Sequence, residues 1–201
     1  MSQGARVHIA DIDFPAFYSS VFGGSTEAST KFYEAVAPSG VYSDAKIILH
    51  QTARMVWLAD KVEDVALGRP AFQILFYLTA AELVAKIVAK YEGEAESKKH
   101  VQKFFSEICE SSQKERLEKA FRTVGGSFVT LEEAINYLYR IRCDVVHRGQ
   151  YYMFSLPPTM TDIPLLSGSG NNNLIAEITL PELRQIILQG AVLAAKQVAG
   201  I

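Results

Sequence analysis

The chain has 201 residues, of which 49% are hydrophobic, and this is enough to bury the core of a single domain. A formal net charge of −2 excludes a protein whose whole surface attracts nucleic acid, so any such contact must come from a local cluster of cations. The two cysteines, Cys109 and Cys143, lie far apart, which argues against a disulfide scaffold or a zinc knuckle and favours a reducing, cytoplasmic setting.

Residues 1–42 predict an N-terminal arm that packs on a helical bundle formed by residues 43–201. Within the arm, residues 7–10 and 14–18 are compatible with an extended arm, a short strand or a packing peptide, and the pattern does not choose between them. Residues 29–36 predict a short helix.

Two long helices are expected next. Residues 43–67 carry apolar side chains at spacings of three and four, which is the stripe of an amphipathic helix. Residues 70–91 predict a helix that is apolar on most sides and therefore central in the core. Because Gln73, Glu82 and Lys86 interrupt this apolar stretch, we expect it not to span a membrane.

A third and a fourth helix follow. The third is predicted over residues 96–122, with residues 111–112 as a candidate break. Thr130 and Glu133 then have the spacing of a capping box, in which each side chain accepts a hydrogen bond from the other residue's backbone N–H. This box opens a fourth helix, which Gly149 should end because glycine readily adopts the left-handed conformation found there.

The remaining segment predicts a short insertion before the last helix. Residues 150–155 and 173–178 have the pattern of short strands, and residues 156–173 between them are rich enough in Pro, Gly, Ser and Asn to predict a flexible loop. Thr179 and Glu182 form a second capping box that opens the last helix. The sequence therefore predicts an all-α fold, an up-and-down bundle of four or five helices with a short β-hairpin-like insertion.

The end of the fourth helix carries a dense cluster of residues suited to phosphodiester chemistry. The cluster consists of Arg140, Arg142, Asp144, His147 and Arg148. At ~100° per residue, Arg140 and His147 share a face with Asp144 beside them, opposite the apolar stripe. Arg142 lies instead at the edge of that stripe.

These residue types provide positively charged groups and a group that can transfer a proton. The dipole and the unpaired carbonyls favour cations at the end of a helix, and a protonated His147 could donate to a leaving oxygen. An adjacent arginine can hold a phosphate and stabilise the charge that grows on it. Together they could cleave RNA without a metal, with the 2′-hydroxyl as nucleophile. The alternative is that the cations cap the helix and pair with carboxylates of neighbouring helices, and composition does not decide between the two.

Two other polar groups are candidates. His50 and Arg54 lie one helical turn apart and could face one cleft, or form an ordinary solvated edge. Lys98 and Lys99 begin the third helix together with His100, as a basic patch that could follow an RNA backbone or simply face solvent. The sequence lacks the motifs of nucleotide-phosphate loops, dinucleotide folds, hydrolase elbows and zinc proteases, so we expect no cofactor and no metal.

The segment from Arg142 to His147 resembles the signature of the HEPN superfamily, in which four to six residues separate an arginine from a histidine. Arg140 and His147 also fit this signature at its six-residue spacing. The residues before the motif and the glycine soon after it look similar to the Apea-like branch, and the resemblance extends over about residues 43–200. In the family the residue after the arginine is commonly Asn, Asp or His, whereas this chain has Cys143 there.

The resemblance implies a bundle that often dimerises so that two motifs form one cleft and, in active members, a metal-independent endoribonuclease. Many members are inactive. The first hypothesis is therefore a homodimeric RNA-cleaving or RNA-binding protein of the kind found in defence or toxin–antitoxin stress responses. Its catalytic residues would be His147 as acid or base, Arg142 as phosphate clamp, and Arg140 and Asp144 as supporting groups, with Arg148, Lys98 and Lys99 binding RNA.

The second hypothesis is a non-catalytic HEPN-like dimeric module that binds a protein or nucleotide partner. In it, the same cluster caps the helix and forms an interface network. Cys143, in place of the usual polar residue, favours this alternative.

Overall fold

The computed structural model describes residues 12–65, 70–150, 156, 165–166 and 174–201, and most of these residues are helical. The helices are α1 (Phe14–Tyr18), α2 (Thr26–Val36), α3 (Asp44–Val65), α4 (Pro70–Val88), α5 (Ser97–Lys103), α6 (Ser111–Glu118), α7 (Leu131–Arg148) and α8 (Leu180–Ala199). The strands are β1 (Phe121–Thr123), β2 (Leu165–Leu166) and β3 (Leu174–Ala176). The predicted all-α class with a small sheet is confirmed.

Four long helices, α3, α4, α7 and α8, form the centre of the bundle. The central one is α4, which packs against the other three and buries Ile74, Tyr77 and Leu78 almost completely. By length and composition α4 is also apolar enough to cross a membrane, but 56% of that stretch is buried inside the fold. The core helix of a soluble protein has the same properties, so the absence of a membrane span stays a prediction.

The predicted third helix is interrupted near its middle, close to the candidate break, and it ends earlier than predicted, at Glu118. After α5 the chain makes one turn of π-helix at Phe104–Ile108, breaks at Cys109 and starts again as α6. The break therefore lies just before the predicted serines, and the backbone N–H of Glu110 donates to Gln113 Oε1 at 2.8 Å where α6 begins.

Phe121 and Arg122, predicted as the end of the third helix, form a strand instead. In the antiparallel sheet of order β1-β3-β2, Phe121 lies opposite Ala176 and Arg122 opposite Ile175. Arg122 also pairs with Glu177, with 2.6 Å between Nε and Oε1. Tertiary contacts with a segment more than fifty residues later, rather than local propensity, select the extended conformation.

The predicted strand 173–178 is confirmed as β3, but its described partners are β1 and β2. The strand β2 lies within the predicted loop 156–173. The other predicted strand is 150–155, of which only residue 150 is described, and it is not part of a strand. Residues 151–155 and most of that loop, 157–164 and 167–173, lie outside the described residues.

The described part of the arm, residues 12–42, contains the α-helices α1 and α2 and packs on the bundle. Residues 14–18, whose conformation the sequence left open, form α1, and the predicted helix 29–36 is confirmed as part of the longer α2. The buried Tyr18 hydroxyl donates to the backbone oxygen of Leu49 in α3 at 2.7 Å. Residues 7–10 lie outside the described ranges.

Gly190 in α8 lies directly against the ring of Phe104 in the π-turn, and a Cβ atom at this position would overlap that fully buried ring. Gly190→Ala should therefore lower the free energy of unfolding by about 1–3 kcal/mol, even though alanine favours a helix. Urea unfolding measures the effect. Gln197→Ala, at an exposed position of the same helix, should change stability little, and equal stability of wild type and Gly190→Ala would contradict this packing.

Candidate functional site

Helix α7 positions the predicted cluster through two well-formed ends. At its start, the backbone N–H of Thr130 donates to Glu133 Oε2 at 2.8 Å, and that of Glu133 donates to Thr130 Oγ1 at 3.2 Å. At its end, Gly149 has a φ of 64°, the left-handed conformation predicted for it. The helix stays regular through Arg148, so the last turn does not unwind and His147 keeps its helical direction.

Four of the predicted site residues lie together at the end of α7. They line a surface pocket of about 350 Å³, which is formed by Arg140, Cys143, Asp144, His147 and Arg148. Arg142 is not among these residues. The structure therefore groups the histidine with Arg140 and Arg148, and separates it from the arginine that fits the shorter spacing of the signature.

Asp144 is buried, with 3% of its surface exposed, although the helical pattern predicted it opposite the apolar stripe. The prediction was wrong because Asp144 lies only three residues from the buried Ile141, and positions three apart lie on neighbouring parts of one face. Its Oδ1 atom lies 3.0 Å from Nη1 of Arg148, and its Oδ2 atom lies 3.8 Å from Nε of Arg140. One carboxylate thus faces two guanidinium groups, which leaves the pocket with excess positive charge.

His147 and Arg148 are both exposed, and 63% of the Arg148 side chain is open to solvent. In the described part of the chain, the His147 imidazole makes no hydrogen bond to another residue. An exposed imidazole beside two guanidinium groups can transfer a proton to or from a ligand that the arginines hold.

Arg142 belongs to a different contact, between α7 and α4. Its Nη2 atom lies 3.2 Å from Glu82 Oε2, its Nη1 atom donates to the Tyr139 hydroxyl at 3.3 Å, and 18% of its side chain is exposed. The guanidinium also lies over the Tyr139 ring, 5.3 Å from the centroid. This side chain therefore joins two core helices, and its guanidinium group is already paired with the carboxylate of Glu82.

Glu82 is the centre of this second network. Its Oε1 atom lies 2.8 Å from Lys86 Nζ and accepts a hydrogen bond from the Ser97 hydroxyl at 2.7 Å. Burial opposes ionisation of this carboxyl group, but the hydrogen bonds from Lys86 and Ser97, with the charges of Lys86 and Arg142, outweigh it and lower the pKa of Glu82. Glu82 therefore stays ionised between two cations.

Lys98 and Lys99 lie in the first turn of α5, apart from the residues that line the α7 pocket. Both are exposed, and Lys99 pairs with Glu96, with 3.1 Å between Nζ and Oε1. His100, grouped with them in the sequence, is buried with 2% of its surface exposed, so it is not part of a surface patch.

Two features of the site were not predicted. In the sequence Glu82 stands out only as an interruption of an apolar helix, although a carboxylate in such a helix is rarely buried without a partner and so indicates an ion pair. Cys143 lines the pocket between Arg140 and His147, which its place in the helical register could have indicated.

Across the described ranges, no three His, Cys, Asp or Glu side chains come together as metal ligands. The expectation that the protein uses no metal and no cofactor stays a prediction.

Comparison with known proteins does not assign the chain to a family. No protein-family model matches the chain, and neither curated proteins nor solved structures give a significant match.

Proposed function

We propose that the α7 pocket binds an RNA phosphodiester and that the protein is a metal-independent endoribonuclease of the HEPN type, active as a homodimer. The observation that carries this proposal is the exposed His147 in one pocket with Arg140 and Arg148. A proton-transfer group between two guanidinium groups is what cleavage by the 2′-hydroxyl needs.

In the proposed reaction, the 2′-oxygen attacks the phosphorus atom while the bond from phosphorus to the 5′-oxygen breaks. His147 donates its proton to the departing 5′-oxygen, and a base takes the proton of the 2′-hydroxyl. Two copies of the motif facing each other would supply one imidazole for each transfer. The products are a 2′,3′-cyclic phosphate and a 5′-hydroxyl.

The two pocket arginines have different roles in this proposal. Arg148, at the exposed rim, contacts the non-bridging phosphate oxygens and stabilises their growing charge. Asp144 holds Arg148, and Arg140 adds positive charge from the other side. Arg142, which the resemblance makes the phosphate clamp, instead holds α7 against α4 through Glu82. Lys98 and Lys99 are proposed only as outer contacts with the RNA strand.

A second candidate function is the non-catalytic dimeric module. It is favoured by the ion pairs themselves, because Asp144 engages Arg148 and Glu82 engages Arg142 within the protein. In that case the cluster stabilises the end of α7 and forms part of the surface that contacts a partner.

Single-stranded RNA incubated with the protein in EDTA tests the proposal. We expect cleavage products with 2′,3′-cyclic phosphate ends, and no cleavage at a nucleotide whose 2′-hydroxyl has been replaced by hydrogen. End-group analysis of the products measures both results. Cleavage at the 2′-deoxy position would contradict the mechanism. RNA binding without cleavage would exclude the nuclease but keep an RNA-binding protein, and the absence of both would favour the module.

A further inference from the structure

The first half of α3 carries a second group of basic residues that the proposed function does not use. Lys46, His50 and Arg54 follow at intervals of four residues, so they lie on one face of the helix. A pocket of about 260 Å³ is lined by Tyr42, Lys46, Ile47, His50, Gln51 and Arg54. His50 and Arg54 thus share a cleft, and Lys46 extends the pair by one turn.

His50 is fixed in this pocket by aromatic side chains from α1 and α2. Its ring stacks on Phe14 with 3.8 Å between the centroids, and its Nε2 atom is hydrogen-bonded to the Tyr33 hydroxyl. Burial lowers the pKa of His50, and the charges of Arg54 and Lys46 lower it further. The imidazole is therefore held by these contacts in the wall between two cations, and its lowered pKa favours the neutral form.

The charges of Lys46 and Arg54 are not balanced by ion pairs within the described part of the chain. Arg54 is unusual in this respect, because every other arginine of that part has a carboxylate partner: Arg116, Arg122, Arg140, Arg142, Arg148 and Arg184. The Arg54 Nε atom is also buried and has no hydrogen-bond partner. Two cations without a carboxylate partner on one pocket favour an anion that enters it.

We propose that this pocket binds a small oxyanion of the phosphate class, with Arg54 and Lys46 as its charged donors. A guanidinium group offers paired N–H donors to two phosphate oxygens, and an ammonium group adds a compact charge. The volume lies just below the usual range of ligand pockets, about 300–1,000 Å³, which suits inorganic phosphate or a small phosphate monoester. The site is formed by α3 and the residues before it, so it does not depend on the α7 pocket or on the proposed RNA chemistry.

Thermal unfolding in inorganic phosphate, compared with sodium chloride of equal ionic strength, tests the site. We expect phosphate to raise the Tm of the wild-type protein, because a ligand that binds only the folded state stabilises it. Arg54→Gln and Lys46→Gln should each weaken phosphate binding about tenfold or more in calorimetric titrations. Lys31→Gln removes an exposed, paired lysine of α2 and should leave the affinity unchanged.

Titration with glycerol phosphate shows whether the pocket prefers a phosphate monoester or inorganic phosphate. Binding of either ligand supports a site for an oxyanion of the phosphate class. NMR signals of the His50 ring should shift during both titrations in the wild-type protein. An equal Tm rise in sodium chloride, or unchanged affinity in both glutamine variants, would overturn the proposal. If Arg54→Gln does not fold, Lys46→Gln decides alone.

Discussion

His147→Ala should lower the rate of RNA cleavage by about 10²- to 10⁴-fold, which is the usual contribution of a positioned acid or base. The imidazole is exposed, so its loss should leave the fold and stability nearly unchanged. Because Arg140 and Arg148 remain, RNA binding should persist and the effect should fall on kcat rather than KM. Single-turnover cleavage of a fluorescent RNA, with binding measured separately, resolves the two quantities.

The control for His147→Ala is Val146→Ala, which removes an exposed side chain from the same helical turn. This variant should cleave RNA at the wild-type rate. Cleavage by His147→Ala at the wild-type rate would exclude the histidine from the reaction. Arg148→Gln should instead weaken RNA binding, because it removes the exposed phosphate donor.

Glu82→Ala should lower the free energy of unfolding by about 3 kcal/mol, because it leaves two partly buried cations without their carboxylate. The side chains of Lys86 and Arg142 are 17% and 18% exposed, so water replaces the lost contact only in part. Urea unfolding near neutral pH measures the loss. Glu96→Ala removes the partner of the exposed Lys99 and should cost less than about 1 kcal/mol.

The stabilities of Glu82→Ala and Glu96→Ala should also depend differently on pH. Since the pKa of Glu82 is lower in the folded protein than its ordinary value of 4.5, its contribution to stability is present above that value. The contribution is lost as the pH falls through the lowered folded pKa. Glu82→Ala should therefore lose less stability than the wild-type protein on acidification, whereas Glu96→Ala should follow the wild type.

Variants of Arg142 test whether this residue clamps phosphate, as the resemblance implies, or holds α7 against α4, as its contact with Glu82 indicates. If Arg142 holds α7 against α4, Arg142→Ala should destabilise the protein, and a double-mutant cycle with Glu82→Ala should show a favourable coupling energy. If instead it clamps phosphate, activity should fall with little change in stability and little coupling. A loss of stability in the double variant that is smaller than the sum of the two single losses would support the role of the Glu82 pair, and additive losses would contradict it.

The sequence by itself determined the features that depend on neighbouring residues. The capping boxes at Thr130 and Thr179 and the left-handed Gly149 set the ends of α7 and α8, because the groups involved lie within a few residues of one another. Helical spacing also placed Arg140 and His147 on one face, where the α7 pocket contains both.

Only the tertiary structure decided the features that depend on distant segments. Phe121 and Arg122 are extended because β3 pairs with them, and no local pattern contains that partner. The burial of Asp144 and the engagement of Arg142 by Glu82, 60 residues earlier, likewise depend on how the helices pack. A helical pattern gives the direction of a side chain, but the neighbouring helices decide whether it meets solvent or a partner. For that reason the sequence indicated where the cluster lies, and the packing of the helices decided which of its arginines lie in one pocket with His147.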